Sequence, residues 1–215
     1  MFTFTDDDHA MAIAVSTLTG AAEELAYELL APLGDRWRHT AGVAARAAEL
    51  APLLGLDGDV LVAAAWLHDI GYAGAARVTG FHPLDGARHL DRLSWPAPIP
   101  GLVAHHSGAE FIAAARGLAE ALAAYPDGGR EISDALTYAD QSVGPDGTRV
   151  STTQRYAEML HRHGPASWNA RVDPVRRPHL QAVTARVEHR LAHRSPVGQL
   201  HPLPAPGQKN SSRSR

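Results

Sequence analysis

A chain of 215 residues without cysteine is long enough to bury a core unaided, and it excludes thiolate zinc sites, iron–sulfur clusters, disulfides and cysteine nucleophiles together. Its net charge of −3, with no basic cluster in the body of the chain, argues against a nucleic-acid polymer as partner. No apolar run approaches the ~18–20 residues that span a bilayer, and the acidic stretch Met1 to Asp8 argues against export, so a cytoplasmic protein without a membrane partner is expected.

Ala, Leu, Glu and Arg dominate and runs of β-branched residues are scarce, a helical pattern nearly throughout. A first helix is expected over about 19–31, stopped by Pro32-Leu33-Gly34. The second covers 35–54 and ends at Gly55, with Pro52 distorting its last turn. Asp57 or Gly58 opens a third helix that runs through Asp69 and closes at Gly71. After a loop over 74–81, Pro83 suits a first helical position, and that helix reaches about Leu93. Ser94 to Pro100 is a rigid turn. Further helices are expected over 99–106, 109–124, 130–142, 151–163 and 174–194. One all-α domain over 17–194 follows, with 1–16 and the Pro-, Gly- and Ser-rich 195–215 disordered.

Metal-ligating side chains fall at intervals along this pattern. His39 lies mid-helix on a face with Val43 and Leu50. His68-Asp69 ends the apolar run Leu61, Val62, Ala64, Ala65, Leu67. Two polar groups at the buried end of an apolar helix are costly without partners, and a helix C-terminus disfavours a lone carboxylate; a metal ion answers both. His82, the pair His105-His106, and Asp140 follow. Neighbours on a helix point about 100° apart, so both histidines of the pair can address one site only at a terminus or bend. Asp35 precedes His39 by four residues; it could face the same cavity, although an N-cap is its ordinary role. His9, His89, His161, His163, His179, His189, His193 and His201 read as structural or surface residues.

As an ordered set over about 35–145, these residues resemble the HD superfamily, an all-helical group of metal-dependent phosphohydrolases. The run His68-Asp69-Ile70-Gly71, the stretch His82-Pro83-Leu84-Asp85-Gly86 and the histidine pair look specifically like the HDIG type, which includes the HD-GYP phosphodiesterases. The resemblance implies an HD-domain helical bundle with a central metal site. His39, His68, Asp69 and Asp140 would bind one divalent ion, and His82, His105 and His106 a second, with Asp69 bridging. The ions would be Fe, Mn, Zn or Co. Asp69 and His68 would be the catalytic pair, serving a metal-activated hydroxide that attacks the phosphate ester of a small nucleotide or related phosphorylated metabolite.

Two departures take away the main sequence support for a cyclic dinucleotide. Tyr72 stands where HD-GYP proteins carry lysine, and Ser107-Gly108-Ala109-Glu110-Phe111 replaces their Glu-Arg-x-Asp-Gly run. Of the 20 Lys and Arg residues only Lys209 is lysine, so cationic contacts to phosphate within the folded body fall to arginine. Arg77, Arg88 and Arg149 are the candidates, with Tyr72 and Gln141 as hydrogen-bonding partners. Some HD proteins are instead di-iron oxygenases of small polyols or organophosphonates, and that is the alternative reading.

Overall fold

Residues 17–193 are described by the computed structural model; the expectations for 1–16 and 195–215, including His9, His201 and Lys209, lie outside them. Ten α-helices follow one another: α1 Leu18–Leu30, α2 Asp35–Leu54, α3 Gly58–Leu67, α4 His82–Arg92, α5 Ile99–His105, α6 Ala109–Ala115, α7 Ala119–Ala123, α8 Arg130–Gln141, α9 Thr152–His163 and α10 Trp168–His193. Among the described residues the only β pairing is a single bridge between Val143 and Arg149. The fold is an all-α bundle, and none of its helices is long and apolar enough to cross a membrane.

α3 is the central helix. Leu61, Ala63, Ala64, Ala65 and Leu67 have no solvent exposure, and α1, α2, α5 and α8 all pack on it. Its alanines keep the girth small, so four neighbours approach closely. The Asp57 carboxylate caps its start, accepting from the Val60 N–H at 3.1 Å. α2 turns the stripe Val43, Ala47, Leu50 and Leu54 inward, and Trp37 stacks on Trp66 with ring centroids 5.4 Å apart. The core continues into α8 and reaches Val187 of α10. A smaller cluster of Tyr156, Met159 and Leu180 joins α9 to α10.

Three boundaries differ from the sequence reading. α3 ends at Leu67, because Asp69 takes φ −106°, ψ 5° and a 3-10 turn follows over Ile70–Tyr72. The doublet therefore leaves the helix axis and turns toward the cavity. The helix expected over 109–124 is two, since Gly117 adopts φ +70° and the Leu118 N–H closes back on the Ala113 carbonyl at 2.8 Å, a left-handed stop that glycine favours. α10 begins at Trp168 rather than 174, with Ser167 Oγ accepting from the Ala170 N–H at 3.2 Å. Pro174 and Pro178 lie inside it; both are exposed, so the carbonyls they leave unpaired reach water.

Candidate metal centre

Four short segments bring the ligands together: mid-α2, the turn after α3, the start of α4, and the break between α5 and α6, with α8 closing the far side. The approach of α4 depends on Gly71. A side chain there would collide with the His82 carbonyl and the Gly86 N–H, so glycine lets the His-Asp turn lie against the first turn of α4 and sets His82 beside Asp69.

Each buried histidine has its tautomer fixed from behind. His68 Nδ1–H donates to the Ala65 carbonyl at 2.7 Å, His106 Nδ1–H to Val103 at 2.7 Å, and His39 Nδ1–H to Gly144 at 3.1 Å. All three Nε2 lone pairs then point into the centre, the arrangement that backbone acceptors impose on metal-ligating imidazoles. His39 Nε2 lies 3.0 Å from Asp140 Oδ1 and 3.9 Å from Asp69 Oδ2. His68 Nε2 lies 3.4 Å from Asp69 Oδ2 and 4.0 Å from Asp140 Oδ1. The other Asp69 oxygen, Oδ1, faces His82 Nε2 at 3.2 Å and His106 Nε2 at 4.0 Å.

The ligand atoms thus form two clusters, His39, His68 and Asp140 in one and Asp69, His82 and His106 in the other, each within 4.8 Å. Asp69 stands between them with one oxygen toward each. The chemistry of this donor set fits divalent ions. His68 Nε2 is buried without a hydrogen-bond partner, and the Nε2 atoms of His82 and His106 face each other at 3.2 Å. Lone pairs gathered against each other and against carboxylates repel unless a cation lies among them. Separations of 3–4 Å are those of ligands each about 2.1 Å from a shared ion.

Electrostatics keep the ligands in their metal-binding forms. Burial would raise Asp69, but Arg36, His68 and His82 hold it well below the ordinary carboxylate range. Asp140 is also buried, yet the hydrogen bond and charge of His39, with His68 and Arg155, hold it well below that range. Burial pushes His106 down to about 4 and His82 well below its ordinary value, so both are unprotonated near neutrality. His68 is the exception: burial lowers it, but Asp69 and Asp140 outweigh burial and raise it. It takes a proton more readily than His82 or His106 when no metal is bound.

His105 is not brought to this centre. It is the last residue of α5, and its Nε2–H donates to the Tyr125 carbonyl at 2.7 Å, on the wall of another cavity with Glu110, Asp134 and His179. The second cluster therefore lacks His105 and consists of Asp69, His82 and His106. The kink responsible is Ser107, a non-glycine residue at φ +54°. Ser107 is held there by its N–H to Thr137 Oγ1 at 3.0 Å and by its Oγ–H to Asp140 Oδ2. Local strain of this kind persists where surrounding bonds over-determine it.

The cavity over the ligands has a volume of about 280 Å³. Tyr72 lines it, stacked on His82 at 4.1 Å and beneath the Arg36 guanidinium at 4.1 Å. Gln141 lines it too, its Nε2–H donating to Asp140 Oδ2 at 3.0 Å. None of the three expected arginines does. Arg77 is exposed, Arg88 lies toward Tyr125, and Arg149 pairs with Glu49. Asp35 is exposed as the first residue of α2, behind Gly34 at the cap position, and pairs with Arg38. The cationic lining is instead Arg36, Arg116, Arg155, Arg162 and Arg176. Arg36 Nη1–H donates to Asp69 Oδ2 at 2.5 Å; its place one helical turn before His39 was the signal available in the sequence.

No curated protein and no solved structure matches the chain. The family model for the HD domain matches residues 36–142, which contain all the converging ligands and stop short of α9 and α10. The His-Asp centre and the helical bundle around it are those of an HD domain, and the chain belongs to the HD-domain family.

Proposed function

We propose that the chain is a metal-dependent phosphohydrolase of a small phosphorylated metabolite, with one divalent ion at each ligand cluster. The observation that carries this reading is Asp69, whose two oxygens face different clusters at 3.2 and 3.4 Å. The HD-domain family consists largely of metal-dependent phosphohydrolases, which supports the same chemistry. When bound, divalent ions polarise a phosphoryl oxygen and acidify water enough for it to attack phosphorus at neutral pH.

The side chains supply orientation and charge. Backbone carbonyls fix three imidazole tautomers. Ser107 and Gln141 hold Asp140, and Arg36 holds Asp69 from the cavity side while lying over Tyr72. A phosphate entering the cavity meets guanidinium groups that stay charged when desolvated and offer paired donors to phosphate oxygens. A cavity of about 280 Å³ supports a small metabolite as substrate.

The test is to strip the protein with chelator, reload it with Mn, Fe, Co or Zn, and screen nucleotides, cyclic dinucleotides and sugar phosphates for phosphate release. Metal-dependent release from a small phosphoester is expected. Silence with every ion, together with oxygen uptake on a polyol or phosphonate, would replace hydrolysis with di-iron oxygenation.

A further inference from the structure

α9 and α10, both beyond residue 142, build the rest of the cavity wall. Arg155, Met159 and Arg162 recur on one face of α9 and all line the cavity, and α10 adds Asn169 and Arg176. Arg176 is only 6% exposed, and no carboxylate among the described residues pairs with it. Its Nε–H and Nη2–H donate to the Ser107 carbonyl at 2.9 and 2.7 Å, and its Nη1–H donates to Asn169 Oδ1 at 2.8 Å. Arg155, 5% exposed, donates Nη1–H to Glu158 Oε2 at 2.7 Å and keeps a buried Nε–H with no hydrogen-bond partner. Arg162 donates to the other oxygen of Glu158 at 2.8 Å.

Glu158 is the one carboxylate hydrogen-bonded to these guanidiniums and Asp140 lies 3.9 Å from Arg155, so three cations face two acids; Arg155 and Arg176 are buried while Arg162 reaches solvent. A buried cation satisfied only by neutral acceptors is held at a cost that an anion relieves. Cations still outnumber the acids beside them, and the guanidinium fork suits phosphate oxygens. The group is continuous with the ligands, since Arg155 Nη2 lies 3.9 Å from Asp140 Oδ1. His163 on the same wall is held below its ordinary value by burial and then by Arg162, Arg36, Arg155 and Arg176 together, as a convergence of cations requires.

We propose that Arg155, Arg162 and Arg176 form a second phosphate subsite, and that the substrate is a small molecule bearing two phosphate groups, one over the metal ligands and one on the α9–α10 wall. The place of the first phosphate rests on the hydrolase reading; the second subsite stands on the arginines alone. A cavity of about 280 Å³ lies at the small end for ligand sites, so it suits a diphosphate or a bisphosphorylated sugar-sized molecule.

The test is calorimetry on the full chain loaded with Mn²⁺, titrated with methylphosphonate and with methylenediphosphonate, neither of which contains a phosphoester bond. The wild-type chain is expected to bind the diphosphonate about tenfold tighter or more, as paired guanidinium contacts to a second anion imply. Arg162→Gln, at a partly exposed position, is expected to remove most of that preference and to change methylphosphonate affinity by no more than about twofold. Arg155→Gln should also reduce the preference, but it is expected to lower methylphosphonate affinity as well, because Arg155 faces the ion ligand Asp140. Chelation of free Mn²⁺ by the diphosphonate is common to every protein compared, so the difference between proteins reads the arginines. Equal affinity of the wild-type chain for both probes overturns the proposal. So does full preference retained in an Arg155→Gln/Arg162→Gln chain that melts like wild type. Absence of phosphate release from every ester would count against the hydrolase reading and leave this comparison intact.

Discussion

His105 and His106 share a peptide bond and face different cavities. His105 ends the α5 helix, whereas His106 takes an extended φ −60°, ψ 148° and swings its ring inward. His106→Ala is therefore expected to cost the protein about one of two bound ions after dialysis, with His105→Ala at the wild-type value; metal analysis of the purified chains decides it, and equal loss in both would refute the assignment. Asp69 joins the clusters, so Asp69→Ala should lower turnover by more than the about 10- to 100-fold typical of losing a supporting partner. His189→Ala should leave turnover unchanged, because that ring is exposed on α10 and stacks on His193; steady-state kinetics on the substrate found by screening compares the two. The sequence supplied the ligand types in order. It held no sign of which member of an adjacent pair looks inward, since that depends on the left-handed turn at Ser107, a residue type that seldom adopts it.

At the scale of elements, the 3-10 turn after α3 and the first turn of α4 act as one unit through Gly71. Gly71→Ala places a methyl group against the His82 carbonyl, an overpacking expected to cost about 1–3 kcal/mol and to move His82 away from Asp69. A lowered denaturation midpoint together with reduced metal content would bear this out; wild-type values for both would show that the turn accommodates a side chain. Most helix limits were readable from apolar periodicity and from Gly55, Pro32 and Pro83, which act locally. The misread limits have non-local causes. Gly117 resembles any helix glycine until its φ is known, and Pro174 reads as a helix start although Ser167 caps the helix about two turns earlier. The arginine face of α9 went unread because its spacing, 155, 159 and 162, is that of any amphipathic helix, and only the packing of α9 beside Asp140 gives it a role.

For the molecule as a whole, the centre links stability to ions and to pH. A histidine held below its ordinary 6.5 gains a proton more readily when unfolded, so His82, and His106 at about 4, withdraw stability as pH falls from 6.5 toward 4. His68 is raised and acts oppositely, adding stability below 6.5 that is lost as pH rises through its folded value. Two histidines oppose one. Asp69 and Asp140, both depressed, contribute stability above the ordinary carboxylate range that is lost as pH falls through it. The chelated chain is expected to melt at progressively lower temperature from pH 7 to pH 4.5, and a flat or rising profile would contradict this balance. Saturating Mn²⁺ near pH 7 should raise the melting temperature, because an ion at a hundred times its dissociation constant adds about 2.7 kcal/mol.

All the converging ion ligands lie within 36–142, and Arg155, Arg162 and Arg176 lie outside it. Ion capture and the second anion subsite therefore lie in separate stretches of one chain, and selection can retune those subsite positions that touch no ion ligand without disturbing ion capture. The freedom is uneven. Arg162, half in solvent and tied only to Glu158, is a position where drift alters which anions are accepted and little else. Arg176, fastened by two N–H groups to the Ser107 carbonyl beside His106, and Arg155, 3.9 Å from Asp140, are the points at which a change of taste also loosens the grip on metal.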